Sequence, residues 1–222
     1  MNLQPNYLRR LPFKDDSRYI DVNIRKGNML DAEIWQEYVQ GYIAEMGGRI
    51  DAGWNWPALF TRWAMSESVM GRDVSLFCLE VPVEADTAAP LAIMLISEGY
   101  PSLDGSQENS VYLWYLASAP TTALRAMGFA HPRPCMIVEA LLDVAIQRSY
   151  ELGYDGRVGL HAAKEGGSGL FNRYRDNVRM KALLSAASLT VGRKLKGGND
   201  GRYFWTDPKL AQSLTNSLNY LR

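Results

Sequence analysis

Residues 133–180 read RPCMIVEALLDVAIQRSYELGYDGRVGLHAAKEGGSGLFNRYRDNVRM, and the periodicity changes three times within them. Met136, Ile137, Ala140, Leu141, Val144 and Ala145 recur at helical spacing, while Glu139, Asp143, Gln147 and Arg148 fill the other side. Pro134 suits the first turn of such a helix, and Gly153 stops it after Leu152. Arg157 to Ala162 then alternates like a short, half-buried strand. A glycine-rich turn, Gly166 to Gly169, leads into a second helix carrying Leu170, Phe171 and Tyr174. Helix, strand, glycine turn and helix follow one another within 48 residues, and the rest of the chain is read outward from them.

Upstream, Val111 to Ala119 forms a strand ended by Pro120. Val74 to Val83 and Leu91 to Ile96 are apolar, β-branched runs that read as a hairpin, and Gly99 to Glu108 is a loop. Before them, a helix with Pro57 at its start carries Trp54, Trp56, Phe60 and Trp63 around it. These aromatics either pack the helix on the sheet or wall a pocket. Asp31 caps an earlier helix running to about Met46, and Arg18 to Ile24 alternates as a first strand. Residues 1–17, with Pro5 and Pro12, read as an extended arm over the surface; residues 18–222 form one domain, closed by a helix over 208–221. The basic residues Arg193, Lys194 and Lys196 read as a solvated strand edge before a glycine turn. The sheet has six or seven strands, mostly antiparallel, flanked by helices, in an α+β arrangement.

Composition limits the function. Lys and Arg number 24 and Asp and Glu number 24, so the basic excess expected of a nucleic-acid-binding surface is missing. The apolar runs are far short of a membrane span, and no signal segment opens the chain, which points to the cytoplasm. Cys78 reads as core; with two cysteines and two histidines scattered along the chain, neither a disulfide framework nor a metal site is expected.

The order of residues 133–180 resembles the GNAT superfamily of N-acetyltransferases. It is most similar to a bacterial branch with a Gly-Arg-Val-Gly-Leu-His strand, matched by Gly156 to His161. That branch continues with a helix ending in Tyr-Arg-Asp and then Gly-Met; here these are Tyr174-Arg-Asp176 and Met180, with Arg179 in place of glycine. Val111 to Pro120 resembles the family's central strand and Gly201 to Thr206 its last, so the likeness covers roughly residues 70–215.

The resemblance implies a GNAT fold whose fourth and fifth strands splay apart, and transfer of an acetyl group from acetyl-CoA to a small-molecule or peptide amine by direct attack. It implies that Leu116, Ala117 and Ser118 offer a strand edge to pantetheine, whose amides pair like those of another strand. It implies that the diphosphate meets the helix N-terminus over Arg133, Cys135, Met136, Ile137 and Val138. The family's motif there is Arg or Gln, two residues, Gly, one residue, then Gly or Ala; here Met136 and Val138 replace the glycines, which otherwise let backbone approach phosphate. The literal match Arg125 to Ala130 does not open the helix and reads as coincidence. Tyr174 takes the place of the family's acid, which protonates the departing thiolate, the alternative being a tyrosine packed beside Phe171. Glu98, at the end of the third strand, is the candidate base, or else a solvated carboxylate; His161 reads as structurally hydrogen-bonded. No metal is implied, nucleic acid and membrane are not expected partners, and a homodimer is left open. The lost glycines leave a second reading, an inactive GNAT-like binding module. A toxin acting on aminoacyl-tRNA is a third, against which the neutral charge argues.

Overall fold

A computed structural model describes residues 6–14, 17–84, 87–185, 189–190, 193–194 and 198–222. In chain order the elements are β1 (Arg10–Pro12), β2 (Tyr19–Asp21), β3 (Asn23–Gly27), α1 (Met29–Tyr38), α2 (Gln40–Glu45), α3 (Trp56–Val69), β4 (Asp73–Glu84) and β5 (Thr87–Pro101). There follow β6 (Asn109–Ser118), α4 (Thr121–Ala126), α5 (Ile137–Glu151), β7 (Val158–His161), α6 (Gly167–Asn172), β8 (Lys181–Ala182), β9 (Tyr203–Thr206) and α7 (Pro208–Ser217). Seven strands form one sheet in the order β3-β4-β5-β6-β7-β9-β8, and the β6–β7 pair is parallel while its other pairs are antiparallel. This is the mixed, mostly antiparallel architecture flanked by helices that the resemblance implies.

Local chemistry sets the helix starts. Asn55 accepts a hydrogen bond from the Ala58 N–H at 3.0 Å with Pro57 in the first turn, and Asp207 accepts from Leu210 at 2.7 Å ahead of Pro208. The first long helix is capped by Asn28 rather than Asp31, which sits three residues in and reaches back to the Asn28 N–H at 2.8 Å. That helix also breaks at Val39 into α1 and α2.

Four further readings are corrected. The arm contributes to the core: Leu8, Leu11 and Phe13 are buried, because β1 pairs with β2 and Phe13 bridges to Pro134. That bridge keeps Pro134 outside α5, which starts at Ile137. Asp143, on the polar side of α5 by sequence, is buried, and the C-terminal Arg222 reaches it at 2.8 Å. Lys196 lies outside the described residues, but Arg193 is half-buried among aromatic rings rather than on a solvated edge.

Candidate active site

β6 and β7 pair only through Val111–Val158, Tyr112–Gly159 and Leu113–Leu160, and then part. A β-bulge falls at the same place. In the β5–β6 register Ile96 faces Leu113 and Leu95 faces Tyr115, so Trp114 is an extra residue on β6. A bulge bends its strand and reverses the alternation beyond it. The Ala119 N–H turns inward to Leu91 O at 2.9 Å; alternation therefore sends the backbone groups of Leu116 and Ser118 outward, into the gap that β7 has left.

Of the three positions expected to present a free edge, Leu116 alone has no partner on its outward side among the described residues. Ala117 is buried in the ladder with Ile93. Ser118 is occupied: its carbonyl accepts from Arg49 at 3.1 Å and its hydroxyl from Arg133 at 2.7 Å. Arg133 also donates to the Ala119 carbonyl at 3.0 Å, so it ties the end of β6 to the mouth of α5. Burial first, and then the neighbouring cations of Arg49 and Arg173, lower its pKa. Arg49 is matched by Asp51 and Arg173 by Glu139, whereas Arg133 has no carboxylate partner among the described residues.

The mouth of α5 retains the shape of a glycine turn without glycine. Of the three residues standing where the resembled family has glycine, Val138 is helical, while Met136 has φ 60° and Arg179 has φ 62°, both in the left-handed region. Keeping a side chain in that conformation costs roughly 1–2 kcal/mol. The Met136 thioether accepts from the Tyr220 hydroxyl at 3.6 Å, which draws that side chain toward the C-terminal segment. Ile137 and Val138 lie in the first turn, where N–H groups have no partner within the helix. Cys135 is a correction: its N–H is spent on the Pro12 carbonyl at 2.8 Å. Arg125 to Ala130 spans the end of α4 and the turn at Gly128, apart from α5.

Beside the splay lies a cleft of about 940 Å³ between α3, β6 and the segment before β9. The tryptophans divide between the two roles weighed for them. Trp56 is fully buried, while Trp54 and Trp63 line the cleft. Trp54 meets Tyr115 edge-on at 4.8 Å, and the Trp114 indole N–H is fixed by Ser97 Oγ at 2.6 Å. His161 lines the same cleft at the end of β7, with Nε2 3.0 Å from an Asp200 oxygen. Burial raises the Asp200 pKa, but hydrogen bonds from His161 and the Arg202 N–H outweigh it and leave it lowered. An ionised carboxylate only accepts, so Nε2 is the donor in this pair, and the neutral form of the ring that makes this bond has its lone pair on Nδ1.

Two expected groups lie outside the lining of this cleft. Glu98 is buried and holds Arg148 of α5 at 2.9 Å through both oxygens, while Ser75 donates to it at 2.6 Å. It is an ion-paired residue of the core and not a solvated or free base. Tyr174 is 6% exposed and packs against Phe204, outside the cleft lining, and burial pushes its pKa up to about 12. The sequence reading missed Asp200, Arg193 and the lining role of Trp114. The apolar run ended by Pro120 signals a strand at Trp114, but nothing in a sequence pairs His161 with a residue 39 positions away.

Among the described residues no helix is long and apolar enough to cross a membrane, and no group of three or more His, Cys, Asp and Glu is placed to hold a metal. No family model matches the chain, and no curated protein matches it at a significant level. Solved structures to which it is similar include a KacTA–DNA complex, at 16% identity and TM-score 0.47, covering 89% of this chain and 99% of that one. A mutant of the toxin AtaT, bound to the C-terminus of the antitoxin AtaR and acetyl-CoA, is 14% identical with TM-score 0.46, over 87% and 97% of the two chains. The structure of yncA from Salmonella typhimurium with its cofactor acetyl-CoA is 12% identical with TM-score 0.46, over 84% and 94%. These are likenesses of overall shape.

Proposed function

We propose that the chain is an N-acyltransferase that moves an acetyl group from acetyl-CoA to an amine. The observation that carries this reading is the parting of β6 and β7 after Leu113 and Leu160, beside Arg133 and the first turn of α5. A strand edge free at Leu116 suits the amides of pantetheine. Among the described residues Arg133 has no carboxylate partner and the N–H groups of Ile137 and Val138 have no acceptor, which suits a diphosphate. The left-handed backbone at Met136 and Arg179 supports the alignment with the resembled family at two of its three replaced glycines, the helical Val138 being the third.

In the reaction the amine nitrogen attacks the thioester carbonyl, the new C–N bond forms, the C–S bond breaks, and the sulfur leaves as thiolate. His161 accepts the proton that the amine gives up, through Nδ1, and Asp200 holds the ring and stabilises the imidazolium. This replaces Glu98, whose oxygens are committed to Arg148 and Ser75. Tyr174 keeps the role of donor to the departing sulfur: it lies near the Arg173–Glu139 pair at the α5 mouth, and burial keeps its phenol protonated.

The inactive-module reading differs in one measurable respect. Isothermal titration with acetyl-CoA, followed by thiol release in the presence of amines, is expected to give micromolar binding and amine-dependent turnover. Absence of binding at millimolar acetyl-CoA would remove the transferase reading.

A further inference from the structure

We infer that the acceptor is an amine carrying a carboxylate on an aromatic or apolar body, of the α-amino acid kind, and that Arg193 is the residue that reads the carboxylate. The inference rests on the acyl-transfer reading above and names its second substrate.

Three guanidinium groups border the cleft. Arg49 is matched by Asp51 at 2.5 Å and Arg72 by Glu67 at 3.0 Å. Arg193 has no carboxylate within ion-pair distance among the described residues. Its Cζ lies 4.5 Å from the Trp114 ring centre, 5.5 Å from that of Tyr112 and 5.8 Å from that of Tyr203. Aromatic faces hold a cation in place without neutralising it. The neighbouring carboxylate, Asp200, is taken by His161 and by the Arg202 N–H, and Glu165 is an exposed residue of the rim. A half-buried cation with no counter-ion gains most from an incoming anion, and the planar guanidinium fork matches a carboxylate.

The surroundings fix the rest of the ligand. Trp63 and Trp114 are stacked beside Arg193, and Trp54 and Tyr115 continue the wall, so the body next to the carboxylate meets flat apolar surface. The Tyr112 hydroxyl, buried under Arg193, has no hydrogen-bond partner among the described residues. Arg193 is also distinct from the diphosphate locus. It sits over Trp114, whereas Arg133 grips Ser118, four residues and about 13 Å further along the strand. The two arginines, neither paired with a carboxylate among the described residues, therefore serve two different anions, Arg193 where the strands begin to part and Arg133 further along the gap.

The test uses the full chain, with L-phenylalanine and L-phenylalaninamide as probes that differ in the carboxylate. Tryptophan fluorescence is titrated with each in the absence of acetyl-CoA, and thiol release is then followed with acetyl-CoA present. The acid is expected to bind at least about tenfold more tightly than the amide. Arg193→Gln is expected to abolish that preference and Arg193→Lys to keep part of it. Equal affinities in the parent protein, or no saturable response to either probe, would overturn the inference whatever the variants do. Acid-selective binding without thiol release supports the carboxylate site and refutes acyl transfer. Equal turnover of acid and amide does the reverse.

Discussion

Trp63 lies flat on Trp114, ring centroids 3.7 Å apart and planes 26° from parallel, and so joins α3 to the extra residue of the β6 bulge. The bulge at which the strands part thus also supplies one wall of the cleft proposed to take the acceptor. Trp63→Ala removes a stack worth about 0.5–1.5 kcal/mol and one face of that wall. Its expected effect is a rise of about tenfold in KM for the amine with acetyl-CoA affinity unchanged. A parallel loss of acetyl-CoA affinity would mean that the stack holds β6 in place rather than lining an acceptor site.

Met136→Gly tests the mouth of α5. Glycine adopts the left-handed conformation without the side-chain penalty, although the unfolded chain then gains freedom that offsets part of the benefit. Stability is expected to rise by up to about 1 kcal/mol. Acetyl-CoA is expected to bind more tightly as well, since the thioether no longer stands beside the first turn. Denaturant titration and calorimetry read the two effects separately. Unchanged acetyl-CoA affinity would move the diphosphate away from this helix.

Glu98→Gln acts on the fold and not on the chemistry. Burial raises the Glu98 pKa, but Arg148 and Ser75 outweigh it and hold it below the usual carboxylate value. A depressed carboxylate stabilises the native state above the unfolded pKa, and that stability is lost as pH falls through the folded value. The variant is expected to lose about 1–3 kcal/mol at pH 7, where a charge-assisted hydrogen-bond pair is broken. The gap to the parent narrows below about pH 4.3. Per folded molecule, turnover is unchanged; a loss of turnover without a loss of stability would return Glu98 to the chemistry.

What the sequence revealed and what it hid follow from the range of each signal. The apolar run Val111 to Ala119 and the helical spacing over Met136 to Ala145 record where one element is apolar, and both elements formed there. Periodicity says nothing about what lies on the polar face. Asp143 looked solvated because its partner, Arg222, is 79 residues away. The buried arm was hidden by its charges, since Leu8, Leu11 and Phe13 stand among Arg9, Arg10 and Lys14. Arg193 sits in a run whose charge suggests water, and only the fold brings Tyr112, Trp114 and Tyr203 around it.

His161→Gln separates chemistry from binding. A general base contributes about 100-fold to 10,000-fold, so kcat/KM is expected to fall within that range while acetyl-CoA affinity holds. Asp200→Asn is expected to cost less, because it disturbs the tautomer and orientation of a base that is still present. Equal, small losses in both variants would make the pair a structural hydrogen bond.

Tyr174→Phe distinguishes a donor from a packing residue, because phenylalanine keeps the ring against Phe204 and removes only the hydroxyl. A phenol whose pKa has risen to about 12 is a weaker acid than the thiol that it would create, whose ordinary value is about 8.5. Complete proton transfer to the sulfur is therefore uphill, and the hydroxyl works by donating a hydrogen bond as negative charge develops. Its loss is expected to lower kcat by about tenfold to a hundredfold, in line with one charge-assisted hydrogen bond, and to leave acetyl-CoA affinity intact. Adding an acyl donor whose leaving thiol is more acidic is expected to restore most of the rate, since less charge then needs support. If kcat stays at the parent value with acetyl-CoA, the hydroxyl has no part in the departure of the sulfur.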